Sequence, residues 1–221
     1  MLFRSLALFR QAADALKYLH ELGVRHRDIK PSNLLVQEGD RIKLVDFGIA
    51  TEQDGKTLTE TGQTFGSVSY APPEWIEPQK LDPVKWDVYS LGVTFFEVLT
   101  GRFAFPVSGI GTSRQMALQV IIAKQNHPPL DPGPSYPVEI RRLLREMTKA
   151  NMDDRLADAA RVCARLEKID INHVDPSYDF EENAQPRTSR TWYPGALEEP
   201  DAPKSPGQKP PNTRYSEWTE D

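Results

Sequence analysis

Residues 86–101, WDVYSLGVTFFEVLTG, constrain the fold more than any other part of the chain, because they are apolar on nearly every side of a helix. A helix of this kind has no face to present to water, so it has to lie inside a domain. The other elements must then pack around it. The segment therefore predicts a mainly helical domain built around one buried central helix.

Four further segments have the spacing of amphipathic helices. In residues 6–19 apolar side chains recur at three- and four-residue steps, and Gly23 predicts the end of that helix. Residues 113–125, 138–150 and 157–169 show the same type of pattern after the central helix. The single cysteine, Cys163, lies in the last of these segments and is expected to be a buried thiol.

A small β patch is predicted between the first helix and the central helix. The runs LLVQ (34–37) and RIKLVDF (41–47) are strand-like, and the residues EGD between them suit a turn. Residues 49–70 are polar and show no period, which indicates a long loop. The expected fold class is mainly α with a small β patch.

The chain divides into a predicted domain, residues 1–172, and a predicted disordered tail, residues 173–221. The tail is rich in proline and holds ten acidic and five basic side chains, which account for the whole net charge of −5. This charge gives no reason to expect binding to nucleic acid or to an anionic membrane. No run approaches the roughly 18 apolar residues of a membrane span. We expect a soluble protein in the reducing cytoplasm.

The stretch VRHRDIKPSN (24–33) places six ionisable or amide side chains between two apolar runs, so it is either a solvated turn or a site. Asn33 follows Asp28 by five residues, and Asp46, the first residue of Asp-Phe-Gly, comes thirteen residues later. Three oxygen-bearing side chains near strand ends suit Mg²⁺, which prefers carboxylate and amide oxygens and leaves positions for phosphate. Taken singly, each residue also has a purely structural interpretation.

The motifs HRDIKPSN, DFG, YAPPE and DVYSLG stand in the order and spacing of eukaryotic-type (Hanks-type) protein kinases, and the chain resembles that family over about residues 3–170. The resemblance is to the C-terminal lobe of the catalytic domain. It implies a helical bundle around the buried central helix, with short strands that carry the catalytic loop and the Asp-Phe-Gly motif.

The resemblance implies ATP and Mg²⁺ as cofactors and serine or threonine residues of a protein as the substrate. Asp28 is similar to the catalytic aspartate that orients the substrate hydroxyl and accepts its proton, and Asn33 and Asp46 to the Mg²⁺ ligands. Lys30 is similar to the lysine that serine/threonine kinases place beside the transferred phosphate. Leu35 would lie under the adenine, and Asp46 would also belong to the nucleotide site.

Regulatory and substrate-binding residues follow from the same resemblance. Arg27 is expected to pair with a phosphorylated residue in the activation segment, residues 46–74, through charge-assisted hydrogen bonds. Thr61 or Thr64 is the expected phosphorylation site, because these two lie nearest the position usual in the family. Ser67 matches the residue next to the substrate-binding loop.

Structural roles are implied for five residues. His26 and Phe47 would stack in a hydrophobic spine that is anchored by Asp87 on the central helix. Glu74 and Arg155 would form an ion pair that ties the activation segment to the last helices. The sequence supports no role for the remaining histidines, His20, His127 and His173.

Three parts that this family needs for phosphoryl transfer have no counterpart in the sequence. Residues 1–221 contain no G-x-G-x-x-G and no V-A-I-K, and a helix glutamate that would position the lysine is also missing. These parts belong to the N-terminal lobe, so we expect the N-lobe to be absent and the chain alone to have little or no activity. Leu34, Leu35, Phe47 and the first helix would then form an uncovered apolar patch.

Two classes of function remain open on the sequence. The chain is either the catalytic part of an ATP-dependent serine/threonine kinase, completed by a segment or partner that supplies the N-lobe, or a non-catalytic interaction module that resembles a pseudokinase. The chemistry-bearing set of Asp28, Lys30, Asn33 and Asp46 favours the first class. The missing glycine loop and lysine favour the second.

Overall fold

The computed structural model describes residues 2–46, 65–77, 79, 81–106 and 112–169, with the backbone alone given for residues 65, 66, 113 and 114. The expectations for Phe47, Thr61 and Thr64 lie outside the described residues. The tail predicted for residues 173–221 lies outside them as well.

The described residues form helices and one antiparallel pair of strands, in agreement with the predicted fold class. The helices are α1 (Leu2–Glu21), α2 (Phe65–Val68), α3 (Pro83–Thr100), α4 (Ser113–Asn126), α5 (Val138–Met147) and α6 (Ala159–Glu167), and the strands are β1 (Leu34–Gln37) and β2 (Arg41–Leu44). Short 3₁₀ turns cover Pro31–Asn33, Pro73–Ile76 and Met152–Asp154. Two details differ from the prediction: β2 ends at Leu44, and the end of the predicted loop contains the helical turn α2.

Helix α3 is the buried centre of the domain, as its composition predicts. Its N-cap, Asp82, accepts hydrogen bonds from the backbone N–H groups of Val84 and Lys85, and Gly101 ends it in the left-handed conformation with φ of 63°. Thirteen of its 18 residues are buried. Helices α1, α5 and α6 pack against it, and the rings of Phe9 and Phe95 stack with their centroids 3.6 Å apart.

Helix α1 also fixes the small sheet that follows the charged loop. Arg4 donates two hydrogen bonds to Asp40 Oδ1, at 3.0 and 2.8 Å. Gln11 donates to the carbonyl of Asp40 at 2.8 Å and accepts from the N–H of Ile42 at 3.1 Å. The turn between β1 and β2 is therefore held to α1, and the strands that flank the charged loop have a fixed position.

The apolar patch expected at the top of the domain is smaller than the sequence suggested. The expectation was wrong for most of α1, because α3 and α6 pack against the helix and bury Leu2, Leu6, Phe9, Ala12, Ala13 and Leu16. Leu34 is half-buried. The exposed apolar side chains nearby are Phe3, Leu35 and Val36, each with nearly half of its surface in water.

Cys163 is buried in α6, as predicted. Burial raises the pKa of its thiol to about 12, and a hydrogen bond with Asp14 acts in the same direction. The thiol is therefore protonated and unreactive at neutral pH.

We predict that Gly92→Ala destabilises the domain. A methyl group at this position on α3 would lie 2.8 Å from Thr148 Cγ2 and 2.9 Å from Met147 Cβ, both closer than van der Waals contact. Overpacking of this kind costs about 2–3 kcal/mol, more than alanine gains in helix propensity. Urea unfolding measures the change. The matched control is Val98→Ala, exposed on the same helix, which should stay within about 0.5 kcal/mol of the parent. Equal stability of the Gly92→Ala variant would contradict the packing described.

The segment between α4 and α5 is anchored by Asp131. Its carboxylate accepts two hydrogen bonds from Arg141, both at 3.0 Å, one from Arg145, and one from the N–H of Gly133 at 2.9 Å. The Arg141 guanidinium is the main reason why the pKa of Asp131 lies well below its usual range.

This anchor predicts a pH-dependent contribution to stability. Because the pKa of Asp131 is lower in the folded than in the unfolded chain, its stabilisation is complete above the ordinary value of 3.8 and is lost as the pH falls below it. We expect Asp131→Asn to lower the melting temperature at pH 6 and to differ less from the parent at pH 3. A difference that stays constant across this range would contradict the ion-pair anchor.

Candidate active site

The charged loop at residues 24–33 is held by one buried carboxylate on α3. Asp87 is fully buried, and it accepts a hydrogen bond from the N–H of His26 at 2.9 Å and another from the N–H of Arg27 at 2.7 Å. Arg27 has a positive φ of 61°, a conformation that costs a non-glycine residue about 1–3 kcal/mol. The two hydrogen bonds that Asp87 accepts hold the backbone in this strained turn.

A third contact to Asp87 comes from His20 at the end of α1. Its Nε2 lies 2.9 Å from Asp87 Oδ2, and its side chain is only 8% exposed. Because Nε2 faces a carboxylate, it carries the hydrogen. The sequence supports no role for His20, and the structure corrects this. No local signal could have found it, since its partner lies 67 residues further along the chain.

The ring of His26 joins the charged loop to the end of β2. Its Nε2 lies 3.2 Å from the carbonyl of Val45, and its Nδ1 lies 3.4 Å from the N–H of Asp28. Burial lowers the pKa of His26, although the charge of Asp87 opposes the shift, so the ring is neutral at pH 7. A neutral ring with the hydrogen on Nε2 satisfies both contacts. His26 thus fixes the distance between the segments that carry Asp28 and Asp46.

Asn33 lies at the centre of this arrangement and is buried. Its Nδ2 donates to the carbonyl of Asp28 at 2.8 Å and to Asp28 Oδ2 at 3.1 Å. The backbone carbonyl of Asn33 accepts from the N–H of Val45 at 3.0 Å. Val45 directly precedes Asp46. Asp46 is exposed and has a positive φ of 53°, so the chain turns sharply there. Asp28, Asn33 and the start of the Asp-Phe-Gly motif are therefore joined by hydrogen bonds.

Lys30 connects the charged loop to the segment that follows residue 64. Its Nζ lies 2.7 Å from Asp28 Oδ2 and donates to Ser67 Oγ at 3.0 Å. The three side chains form a cluster of a carboxylate, an ammonium group and a hydroxyl. Such a cluster has a proton acceptor beside a positive charge, which suits the transfer of an anionic group to a hydroxyl.

The segment after Ser67 is tied to the far side of the domain. Arg155 donates to both carboxylate oxygens of Glu74, at 2.6 and 2.9 Å, and its guanidinium lies 4.8 Å from the ring centroid of Tyr89. Arg155 also donates to the carbonyl groups of Lys149 and Lys85. None of these contacts involves Asp28. The bidentate ion pair therefore has a structural role, because it fixes the segment that contains Glu74.

The remaining described candidate residues are Leu35 and Arg27. Leu35 stands on β1 with 48% of its surface exposed, and the side chain of Arg27 is half-buried. In the part of the chain that the structure describes, no group of three or more His, Cys, Asp or Glu side chains could hold a metal ion. Within the same residues, no helix is both long and apolar enough to span a membrane.

Comparison with known proteins gives one family. The protein kinase domain matches residues 4–165. A probable serine/threonine-protein kinase of Clostridium acetobutylicum is 30% identical over 77% of this chain and 25% of its own length. A relative from Corynebacterium efficiens, with the name serine/threonine-protein kinases drp72, is 31% identical over 78% of this chain and 32% of its own length. The serine/threonine-protein kinase PknA of Mycobacterium tuberculosis is 34% identical over 63% of this chain and 31% of its own length. The chain thus spans a quarter to a third of these relatives.

We predict that Asp87→Asn weakens the charged loop and the whole domain. An amide at this buried position offers one acceptor oxygen to three donors, so the unfolding free energy should fall by about 2–4 kcal/mol. Urea unfolding measures this change. The control is Asp82→Asn on the same helix, where asparagine serves equally well as an N-cap and should cost less than about 0.5 kcal/mol. A similar small change in both variants would contradict the anchoring role.

Proposed function

The chain belongs to the protein kinase domain family, and we propose that it carries the catalytic-loop part of a protein serine/threonine kinase active site. The single observation that supports this most is the contact of Lys30 Nζ with both Asp28 Oδ2 and Ser67 Oγ. It joins a proton acceptor, a positive charge and the start of the segment proposed to bind the substrate.

In the proposed reaction, Asp28 orients the serine or threonine hydroxyl of a protein substrate and accepts its proton. The hydroxyl oxygen forms a bond to the γ-phosphorus of ATP as the bond to the bridging oxygen breaks, and ADP leaves. Lys30 balances the negative charge of the phosphoryl group as it moves. Ser67 holds Lys30 from the side of the substrate-binding segment.

Asn33 and Asp46 are the residues proposed to bind Mg²⁺, whose charge neutralises the phosphate oxygens. The donor set fits, because an amide oxygen and a carboxylate are ligands that Mg²⁺ accepts while phosphate and water fill its other positions. The hydrogen bonds from Asn33 Nδ2 to Asp28 leave Oδ1 as the amide atom that could bind a cation, and in the structure Oδ1 accepts a long hydrogen bond of 3.4 Å from the hydroxyl of Ser32. Leu35 is proposed to contact the adenine.

Further parts of the proposal concern substrate and regulation. The names of the relatives support serine or threonine as the acceptor, and so does Lys30 by its resemblance to the lysine of that class. Arg27 is proposed to bind a phosphate on Thr61 or Thr64. We also propose a cytoplasmic location and a protein substrate, with neither nucleic acid nor membrane as a partner.

We further propose that residues 1–221 by themselves are a C-lobe and transfer little phosphate. The sequence holds no G-x-G-x-x-G and no V-A-I-K, and the side chains of Leu35 and Val36 are each 48% exposed. Without a glycine loop, a lysine and an adenine roof, ATP would face water, where charge contacts are weak. Loss of a single arginine in related phosphoryl transfer costs about 10³–10⁵ in rate. An N-lobe, in the same polypeptide or another, completes the site.

A second candidate function is a non-catalytic interaction module. The same exposed strand residues, Leu35 and Val36, favour it, because an uncovered apolar surface suits the binding of a partner protein. The two candidates differ in whether a partner at this surface restores phosphoryl transfer.

In the test, the N-lobe of PknA is fused ahead of residue 2 of this chain. The transfer of phosphate from labelled ATP to a generic basic protein is then measured. We expect Mg²⁺-dependent transfer by this fusion that Asp28→Asn lowers about 10²–10⁴-fold and that Asp46→Asn also abolishes. The control, Asp153→Asn, changes an exposed carboxylate outside the site and should leave the rate unchanged.

Three outcomes are decisive for the proposal. A folded fusion that binds nucleotide but transfers no phosphate would contradict the catalytic proposal and favour the interaction module. Transfer that is the same in the Asp28→Asn fusion would contradict the assigned base. Phosphoryl transfer by residues 1–221 alone that Asp46→Asn abolishes would support the proposed reaction. It would contradict the need for an N-lobe.

A further inference from the structure

A buried lysine outside the catalytic cluster contacts the segment that carries Ser67. Lys124 lies on α4 and is 1% exposed. Its Nζ donates to the carbonyl of Val68 at 2.8 Å and to the carbonyl of Ala71 at 2.5 Å. Lysine is among the residues that are almost never fully buried unless they are paired. The two carbonyl groups are therefore the specific partners that this side chain serves.

The surroundings of Lys124 compensate for its burial. Its Nζ lies 5.0 Å from the ring centroid of Phe105 and 5.6 Å from that of Tyr89, within the range of cation–π attraction. Burial lowers the pKa of the amine, and the charge of Glu97 opposes this shift. The site is thus built for an amine donor and not for an apolar side chain.

Glu97 acts on the same segment from α3. Its Oε2 accepts from the hydroxyl of Tyr70 at 2.7 Å, and Ser90 on the same helix donates from its hydroxyl to the carbonyl of Tyr70 at 2.9 Å. Side chains of α3 and α4 are therefore hydrogen-bonded to the backbone carbonyls of Val68, Tyr70 and Ala71 and to the hydroxyl of Tyr70. The hold is directional, since each contact is a hydrogen bond to a defined atom.

This hold extends to Ser67. The N–H groups of Tyr70 and Ala71 both donate to the carbonyl of Ser67 at 3.1 Å, so residues 67–71 form one turn. The hydroxyl of Ser67 accepts from Lys30, which contacts Asp28. A displacement of the turn would remove Ser67 from Lys30.

We propose that Lys124 is a positioning residue, which fixes the turn of residues 67–71 through the carbonyl groups of Val68 and Ala71 and thereby keeps Ser67 in contact with Lys30. The inference rests on the proposed function only where it regards this turn as part of the substrate-binding surface. Lys124 touches neither the reacting groups nor the proposed metal ligands. Its effect is on the shape of the turn.

The test uses the full chain with Lys124→Met, which keeps the length of the side chain and removes the donors. We expect the amides of Tyr70 and Ala71 to exchange with deuterium at least about tenfold faster, because two buried carbonyl groups lose their partner. Amides in the middle of α3 and α5 should keep their parent rates. A purely packing role for Lys124 would leave all these rates unchanged.

A second readout follows Lys30, whose amine is held between Asp28 and Ser67. Acylation of Lys30 with a succinimidyl ester, measured by peptide mass spectrometry, should be several-fold faster in Lys124→Met. The matched control is Lys85→Met, which removes a lysine that also donates to a loop carbonyl, that of Met152 at 3.0 Å. In this control, the exchange rates of the Tyr70 and Ala71 amides and the acylation rate of Lys30 should equal those of the parent.

A rescue tests whether the amine itself is required. In a Cys163→Ala background, Lys124→Cys is alkylated with bromoethylamine while unfolded and is then refolded, which restores an amine at nearly the original position. We expect parent exchange rates at Tyr70 and Ala71 after alkylation and fast exchange before it. Failure of the alkylated chain to recover these rates would overturn the proposal.

The remaining outcomes are also decisive. Unchanged exchange and acylation in a folded Lys124→Met variant would overturn the positioning role and leave the proposed function standing. If Lys124→Met and a second variant, Lys124→Gln, both fail to fold, the lysine supports the whole domain and the local role is wrong. None of these measurements needs phosphoryl transfer, so a failed transfer assay with the expected exchange pattern would overturn only the proposed function.

Discussion

The carboxylate of Asp87 is the contact on which the rest of the site depends. It lies in the middle of the domain because α3 is apolar all round and has to be buried, and no water there can replace it as an acceptor. It accepts from the N–H groups of His26 and Arg27 and from the ring of His20, so one buried side chain satisfies three donors. The strained backbone of Arg27 can persist because these bonds determine it.

A series of hydrogen bonds between backbone and side chains connects the residues held by Asp87 to the end of β2 and to Asn33. The ring of His26 reaches the carbonyl of Val45, and the N–H of Val45 reaches the carbonyl of Asn33. From the other side, Gln11 on α1 holds the strands at Ile42. The loop that carries Asp28 is thus fixed at its start by α3 and at its end by a sheet that α1 supports. Hydrogen bonds of this kind restrict position more closely than apolar contact, because they act only over a narrow range of distance and angle.

Much of this could be predicted from the sequence, and the exceptions have a common cause. Helices α1 and α3 were predicted because their apolar spacing is a local property, and the residues around Asp28 were found because their mutual spacing is specific. His20 and Lys124 were missed. Each lies on a helix whose pattern predicts only a helix, and each finds its partner more than 50 residues away in the chain. The end of β2 was placed too late, since the positive φ of Asp46 interrupts a run that reads as a continuous strand.

The turn of residues 67–71 shows how buried polar side chains add to apolar packing in fixing the shape of a segment. Val68 packs in a small cluster with two residues of α4 and with Trp75, whereas Tyr70 belongs to the main core. Buried polar side chains from α3 and α4 define the turn, and these are Lys124, Glu97 and Ser90. Apolar packing alone tolerates small shifts, whereas a buried charge that loses its partner carries a large desolvation cost. Held in this way, residues 67–71 keep a single conformation beside Lys30 and Asp28, and a site for phosphoryl transfer would need a fixed geometry of this kind.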